Sequence, residues 1–111
     1  MIHVYIHYPT RREAEKISRL LLKKRLAGCV SFVKQSDMYW WKGKLVGTQG
    51  VVTFVAAPEK NYKKIEKFVA KHHPYQVPCI LEMPIKRAYA PYKKWLINAT
   101  NHDGRKKSKS H

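Results

Sequence analysis

The chain is poor in cysteine, in acidic residues and in long apolar segments. Its two cysteines, Cys29 and Cys79, are too few for the disulfide framework of a small secreted domain. No apolar run approaches the roughly 20 residues that a membrane-spanning helix needs. The N-terminus shows neither the basic start nor the small-residue cleavage site of a signal peptide. These absences predict a cytoplasmic protein without a membrane partner.

Acidic residues are the most marked shortage: 7 of them stand against 23 lysines and arginines, which gives a net charge of +16. Residues 101–111 hold four basic residues against Asp103, and they predict a short, basic, flexible C-terminal tail. Most of the charge therefore belongs to residues 1–100, which we expect to form one domain. A basic surface attracts nucleic acid and other polyanions non-specifically, and a merely well hydrated surface is the alternative explanation.

The first half of the chain predicts a strand, a helix and a hairpin. Residues 2–7 (IHVYIH) alternate apolar and polar as in a half-buried strand. Thr10 and Glu13 form a capping-box pattern for a helix that should end near Lys24. A long or bent strand is expected from residue 29 to about residue 46, with a bulge at residues 36–37. Residues 47–50 (GTQG) should then turn the chain into a strand over residues 51–56.

The second half predicts a helix, a strand and a short final helix. Pro58 suits the first position of a helix that ends near His72, because Pro74 disfavours helical geometry at His73. A fourth strand is expected over residues 79–85, and Pro91 should open a short helix that frays beyond Asn98. The order is β-α-β-β-α-β, which predicts an α+β, ferredoxin-like sandwich with a long β2–β3 hairpin.

In such a sandwich two helices cover one face of the sheet and leave the other face open. Trp40 and Trp41 are adjacent in a predicted strand, so their side chains point to opposite faces. One indole must therefore lie on the open face, where a large exposed aromatic surface usually marks an interface. The pattern predicts an oligomer that buries this face. A single tryptophan stacked under a local loop is the alternative.

Two adjacent histidines, His72 and His73, stand directly before a proline. Imidazole is the commonest metal-ligand side chain and suits copper(II), zinc(II) and nickel(II). The pair therefore raises the hypothesis of a metal site. Ordinary contacts at the end of a helix are the alternative role for both side chains.

Five segments together resemble the CutA divalent-cation-tolerance family. They are residues 26–30 (LAGCV), 39–44 (YWWKGK), 73–78 (HPYQVP), 83–85 (MPI) and 92–96 (YKKWL). Their order and spacing agree with that family from about residue 2 to residue 97. The resemblance implies a ferredoxin-like subunit in a tight homotrimer of very high thermal stability. It also implies divalent metal tolerance and copper(II) binding, with no catalysed reaction.

Carried over residue by residue, the resemblance implies a metal site at His72 and His73, with His7 at the position where some members have cysteine. Cys79 stands where the family usually has glutamate, which makes it a candidate additional ligand or a small buried residue. The resemblance and the open-face inference together place the inter-subunit cleft at Tyr39, Trp40, Trp41, Lys44 and Tyr75.

The chain departs from the family pattern in charge. Lys42 replaces a usual acidic residue, residues 47–50 lack the usual acidic residues, and the whole chain is far more basic. Three functions therefore stand as hypotheses. The first is a homotrimer that binds copper(II) or another divalent cation. The second is a trimeric regulatory or adaptor protein that binds a small ligand in an aromatic cleft, and the third is a non-specific polyanion binder.

An enzyme is not expected. Small acylphosphatases share the predicted topology but rely on a glycine-rich phosphate cradle, and residues 8–11 (YPTR) contain no glycine. Glu59, Glu66 and Glu82 are not spaced as a catalytic pair, and the chain has neither a nucleophile elbow nor a P-loop.

Overall fold

A computed structural model describes residues 1–101. A short 3₁₀ turn, Glu59–Asn61, lies between the third strand and the second helix. The seven main elements are β1 (Ile2–Tyr8), α1 (Arg11–Lys23), β2 (Cys29–Trp41), β3 (Lys44–Ala57), α2 (Tyr62–His72), β4 (Ile80–Pro84) and α3 (Ala90–Thr100).

The four strands form one antiparallel sheet in the order β2-β3-β1-β4. Alternate residues of β1, Ile2, Val4 and Ile6, are fully buried and pack with Ile17 of α1 and Ile65 of α2. The core therefore lies between one face of the sheet and the helices. The predicted α+β ferredoxin-like order is confirmed. None of the helices within residues 1–101 has the length and apolar character needed to cross a membrane.

Helix α1 begins and ends where the sequence predicts. The Thr10 hydroxyl accepts a hydrogen bond from the Glu13 amide at 3.2 Å, as expected for a capping residue. Ala14, Ile17 and Leu21 lie three or four residues apart and are buried on the face that meets the sheet. The chain leaves the helix through Arg25, whose φ of 61° turns it back toward β2.

The hairpin turn is not where the glycine-rich segment predicted it. Lys42 and Gly43 form the turn, and their φ values of 50° and 78° match the type I′ turns that join antiparallel strands. Residues 47–50 lie within β3, so the turn predicted there is wrong. The predicted bulge at residues 36–37 is also wrong. The pairing of β2 with β3 is unbroken, from Cys29 opposite Ala56 to Trp41 opposite Lys44.

The outer part of this hairpin is a two-stranded arm. Strand β1 pairs with β3 over residues 51–57, so no third strand within residues 1–101 lies beside residues 35–50. The molecule is accordingly elongated, with principal extents of 51, 26 and 22 Å. Trp41 lies on the open-face side, 39% exposed, as required of one indole. Trp40 points the other way but is 73% exposed, because the arm carries it beyond the helices.

Two smaller differences concern the ends of elements. Pro58 precedes the 3₁₀ turn rather than opening the helix, which begins at Tyr62. Helix α3 continues through Thr100 instead of fraying at Asn98, because Leu96 is fully buried and the Thr100 hydroxyl donates to its carbonyl at 2.9 Å. The predicted basic tail, except Asn101, lies outside the described residues, so the division at residue 100 stays a prediction.

Two glycines of β3 offer a matched test of this packing. A Cβ added at Gly50 would lie 2.2 Å from the Tyr8 carbonyl oxygen, whereas one at Gly47 would meet nothing closer than 3.9 Å. We expect Gly50→Ala to lower the free energy of unfolding by about 1–3 kcal/mol through overpacking. Gly47→Ala should change it by no more than about 0.5 kcal/mol. Urea unfolding at one protein concentration measures both, and equal effects would contradict the close approach at Gly50.

Candidate functional site

The open face of the sheet carries large side chains that remain exposed among residues 1–101. On β1 this face displays His3, Tyr5 and His7, and the pairing register assigns to it the alternate residues of the other strands. Five large hydrophobic residues on this face remain between 39% and 52% exposed: Val33, Tyr39, Trp41, Leu81 and Met83. Beside them, Phe54 packs edge-to-face on Tyr5, with ring centroids 5.6 Å apart.

A cleft of about 620 Å³ opens on this face, between the hairpin arm and the loop of residues 74–79. We call it the open-face cleft. Its lining is mainly aromatic and apolar, and its chemically reactive groups come from β1, β2 and the loop. The lining includes His7, Asp37, Tyr39, Trp41, Tyr75 and Cys79.

His73 holds the loop against the end of β1. The Tyr75 amide donates to Nδ1 of His73 at 3.0 Å, and Nε2 of His73 lies 2.7 Å from the His7 carbonyl oxygen. The His7 amide in turn donates to the Cys79 carbonyl at 3.3 Å. Because Nδ1 accepts from an amide, the proton of the neutral ring must be on Nε2, which donates to the carbonyl. Both ring nitrogens are therefore used.

Burial keeps His73 neutral. The side chain is buried and its ring stacks on Tyr8, with centroids 4.8 Å apart. Burial lowers the pKa of His73 below its ordinary value, although the hydrogen bond to the His7 carbonyl acts in the opposite direction. A neutral imidazole with both nitrogens in backbone hydrogen bonds has no lone pair left for a metal ion.

His72 faces away from this arrangement. It is the last residue of α2 and is exposed, with its ring stacked on Phe68 at a centroid distance of 4.2 Å. Its Nδ1 lies 2.9 Å from the Phe68 carbonyl oxygen and must donate to it, so only Nε2 can accept a proton or a ligand. The adjacent histidines therefore serve different contacts. His72 makes the helix-terminal contact that the sequence offered as the alternative role.

His7 lies deep in the open-face cleft with an unsatisfied nitrogen. The side chain is buried, and its Nε2 makes no hydrogen bond within the described residues. That nitrogen lies 3.1 Å from Oδ2 of Asp37 on β2. Gln35 orients the carboxylate by donating to Oδ1 at 3.0 Å, and its amide also contacts the Tyr5 hydroxyl. The two atoms form an ion pair when the imidazole is protonated, and with a neutral ring they are one nitrogen and one oxygen donor at the wall of the cleft.

The predicted histidine set and this pair differ in how well they fit a divalent cation. His72 and His73 do not fit as co-ligands of His7, since one is turned away and the other is fully hydrogen-bonded. No group of three or more His, Cys, Asp or Glu side chains within residues 1–101 is arranged to hold a metal ion. The pair of His7 and Asp37 does fit as two ligands. Donors about 2.0–2.2 Å from one ion stand about 3 Å apart, and the observed separation is 3.1 Å.

Cys79 lines the same cleft as a free, exposed cysteine. Partial burial raises the pKa of its thiol, and the negative charge of the nearby Asp37 carboxylate raises it further. The thiol therefore stays protonated at neutral pH and becomes a ligand only when a metal ion displaces its proton. Cys79 remains a candidate third donor rather than a reactive nucleophile.

Asp37 and Gln35 are the residues that sequence reasoning missed. Asp37 was interpreted as part of a bulge, and the strand pairing instead places it opposite Thr48 of β3, with its carboxylate 3.1 Å from the His7 ring in the cleft. A signal was available: residues 35, 37, 39 and 41 alternate along one strand, so they share the face of Trp41. The bulge predicted at residues 36–37 interrupted that alternation.

The predicted interface residues divide into two groups. Tyr39, Trp41 and Tyr75 line the open-face cleft. Trp40 lies on the opposite side of the arm, and Lys44 pairs with Trp41 at the tip without lining the cleft. Their burial between subunits stays a prediction.

Because the folded-state pKa of His73 lies below its unfolded value of 6.5, the unfolded chain binds protons more readily. The contribution of His73 to stability is complete above that value and is lost as the pH falls through the folded pKa. We expect the free energy of unfolding to decrease as the pH is lowered from about 7.5 to about 5.5. The decrease should be smaller in His73→Gln. Urea unfolding at both pH values measures this. His72→Gln is the control and should keep the wild-type fall; an unchanged fall in His73→Gln would contradict the burial argument.

Comparison with known proteins agrees with the fold. The sequence model of the family described as "CutA1 divalent ion tolerance protein" matches residues 2–99. The "Divalent-cation tolerance protein CutA" of Pyrococcus horikoshii is 33% identical over 100 residues, covering 90% of this chain and 98% of that protein. The structure of a "Periplasmic divalent cation tolerance protein CutA" from Archaeoglobus fulgidus superposes with a TM-score of 0.89 at 29% identity, covering 90% of this chain and 98% of that one. CutA1 from Pyrococcus horikoshii gives a TM-score of 0.87 at 32% identity, with coverages of 91% and 99%. The chain therefore belongs to the CutA1 divalent ion tolerance family.

Proposed function

We propose that this CutA protein acts in divalent-cation tolerance as a homotrimer that binds copper(II), or a similar divalent cation, in the open-face cleft. The observation that carries the proposal is the buried Nε2 of His7, which makes no regular hydrogen bond within residues 1–101 and lies at ion-pair distance, 3.1 Å, from Oδ2 of Asp37. The proposal keeps the cytoplasmic location and the non-enzymatic role that the sequence predicts.

The chemistry of the donor pair supports copper(II) first. Imidazole nitrogen with carboxylate oxygen is a mixed N,O set, which suits the tetragonal geometry of copper(II) and nickel(II). His7 and Asp37 supply two ligands to the cation. Water, Cys79 or a residue of a second subunit must supply the remaining ligands. A strained or incomplete set of this kind agrees with reversible cation binding better than with a structural metal centre, whose ligand shell is closed.

The exposed open face supports the homotrimer. Five large hydrophobic side chains lie exposed on it, and a contiguous apolar patch of this kind marks an interface in soluble proteins. The arm adds further exposed hydrophobic surface, including Met38 and Leu45. A two-stranded arm is marginally stable on its own. Contact with other copies of the chain would bury the open face and would also support the two-stranded arm.

Calorimetric titration with copper(II) tests the cation site. We expect saturable binding by the wild-type protein, and at least about tenfold weaker binding by Asp37→Asn, which removes a negative oxygen donor while keeping the side-chain shape. His72→Ala is the matched control and should bind like the wild type, because its ring lies outside the cleft.

The opposite pattern would overturn the assignment. If His72→Ala bound copper(II) more weakly and Asp37→Asn bound it like the wild type, the metal site would include the pair of His72 and His73 and not Asp37. Absence of saturable binding in the wild-type protein would contradict cation binding by the isolated protein altogether.

A pair of leucines tests the homotrimer. Leu81, on the open face, is 52% exposed, and Leu22, on the helix side, is 38% exposed. Leu81→Lys should lower the molar mass measured by light scattering below that of a trimer, because it buries a charge in the proposed interface. Leu22→Lys should keep the trimer mass. A monomeric wild type, or a Leu81→Lys variant with unchanged mass, would contradict the interface.

The aromatic lining of the cleft favours one second candidate, the small-ligand regulatory or adaptor protein. Tyr39, Trp41 and Tyr75 border a volume of about 620 Å³, which is the size of a typical small-molecule site. Thermal stabilisation by a planar metabolite in the presence of a chelator would favour this candidate. Stabilisation by copper(II) alone favours the cation role.

A further inference from the structure

The positive charge of the chain is concentrated on the helix side of the molecule. Residues 11–25 and 59–72, which contain α1 and α2, hold twelve basic and four acidic residues, a net +8. The four strands and the hairpin turn hold three basic and two acidic residues, a net +1. A uniformly hydrated surface would not separate the charge in this way. The open face, which the homotrimer would bury, is on the other side of the sheet.

The basic residues of α1 form a continuous row. Arg12, Lys16, Arg19 and Lys23 follow one another at intervals of four, three and four residues, so they share one face of the helix. All four are exposed, and the buried residues of α1 lie on the opposite face. At about 1.5 Å per residue, the row is about 17 Å long.

Helix α2 repeats the arrangement. Lys64, Lys67 and Lys71 share one exposed face, and Lys60, in the turn before the helix, continues the row with the same spacing. The two helices contact each other on the same side of the sheet. Packed helices lie roughly 8–10 Å apart, so the two rows run side by side.

The acidic residues of these helices do not neutralise the rows. Glu13, Glu15 and Glu66 are half-buried, whereas all twelve basic residues are exposed. The two ion pairs in this region join Arg11 to Glu15 at 2.9 Å and Lys63 to Glu66 at 3.8 Å. Neither pair uses a residue of the two rows, which leaves eight cations facing solvent.

The chemistry of the surface selects nucleic acid over a membrane. A helix that inserts into a membrane interface presents large apolar side chains between its charges. Among the described residues of α1 and α2, the only large exposed hydrophobic side chain is Leu22. A duplex carries a phosphate charge about every 1.7 Å along its axis, and a row about 17 Å long covers roughly half a helical turn.

We propose that the paired basic rows of α1 and α2 form a binding surface for the phosphate backbone of duplex nucleic acid, and that this binding does not depend on the base sequence. This surface lies on the opposite side of the sheet from the proposed cation site, and a homotrimer that buries the open face would leave it accessible. Three copies of it on one assembly would strengthen binding to a long duplex through multivalency.

Fluorescence anisotropy with labelled 20-base-pair DNA and RNA duplexes tests the proposal, using full-length protein across a series of salt concentrations. The row variant carries Arg12→Gln, Lys16→Gln, Arg19→Gln and Lys23→Gln. The matched control carries Arg105→Gln, Lys106→Gln, Lys107→Gln and Lys109→Gln, which removes the same charge from the C-terminal segment. Circular dichroism checks that both variants fold.

We expect the row variant to bind at least about tenfold more weakly at moderate salt, and its logarithmic salt slope to be smaller by roughly 3–4, since each lost phosphate contact contributes about 0.9. The control should change both quantities much less. Equal losses in the two variants, or no duplex binding by the wild type, would overturn the proposal. Binding to vesicles rich in phosphatidylserine under conditions where duplexes do not bind would overturn it as well.

Discussion

Two helices can cover only one face of a four-stranded sheet, and the β2–β3 hairpin extends beyond both of them. The buried core lies wholly on the covered side. Five large hydrophobic residues that the strands place on the other face are at least 39% exposed, and Trp40 of the arm is exposed as well, whereas Val52 on that face is buried. Within the described part of the chain, no third strand pairs with the arm. Within residues 1–101, the fold therefore leaves on the open face an apolar surface that its helices do not bury.

The same open face carries the polar side chains that line the cleft. His73 uses both of its ring nitrogens to fasten the loop of residues 74–79 to β1, and that loop forms one wall of the cleft. His7 is left with a buried nitrogen that faces Asp37 rather than a backbone group. The histidine that looks most like a ligand in the sequence thus has a structural role. The donor pair comes from two strands that are distant in the chain.

The sequence predicted the elements of the fold because their signals are local. The alternation in β1, the capping pair Thr10 and Glu13, and the spacing of apolar residues in α1 all agree with the structure. The hairpin turn was misplaced because residues 47–50 carry two glycines, whereas the true turn carries Lys42 and Gly43. A glycine can mark a turn or a close approach of two strands, and Gly50 serves the second purpose.

The site was less predictable because its contacts are long-range. Nothing near His73 in the sequence reveals that its partners are the His7 carbonyl and the Tyr75 amide. The pairing of His7 with Asp37 depends on the register of two strand pairs, and a misplaced turn hides it. The charge, by contrast, was visible in the composition. Its separation onto the helix side became apparent only once the helices were placed on one face.

Hydrogen exchange in the hairpin arm tests the coverage of the open face by other copies most directly. Coverage predicts that backbone amides of residues 38–46 exchange slowly in the native protein, close to those of the central strands. An uncovered two-stranded arm opens easily, so its amides would exchange rapidly while the core stays protected. Slow exchange throughout the arm is the result expected of the homotrimer. Rapid exchange of the arm within a protected core would contradict it.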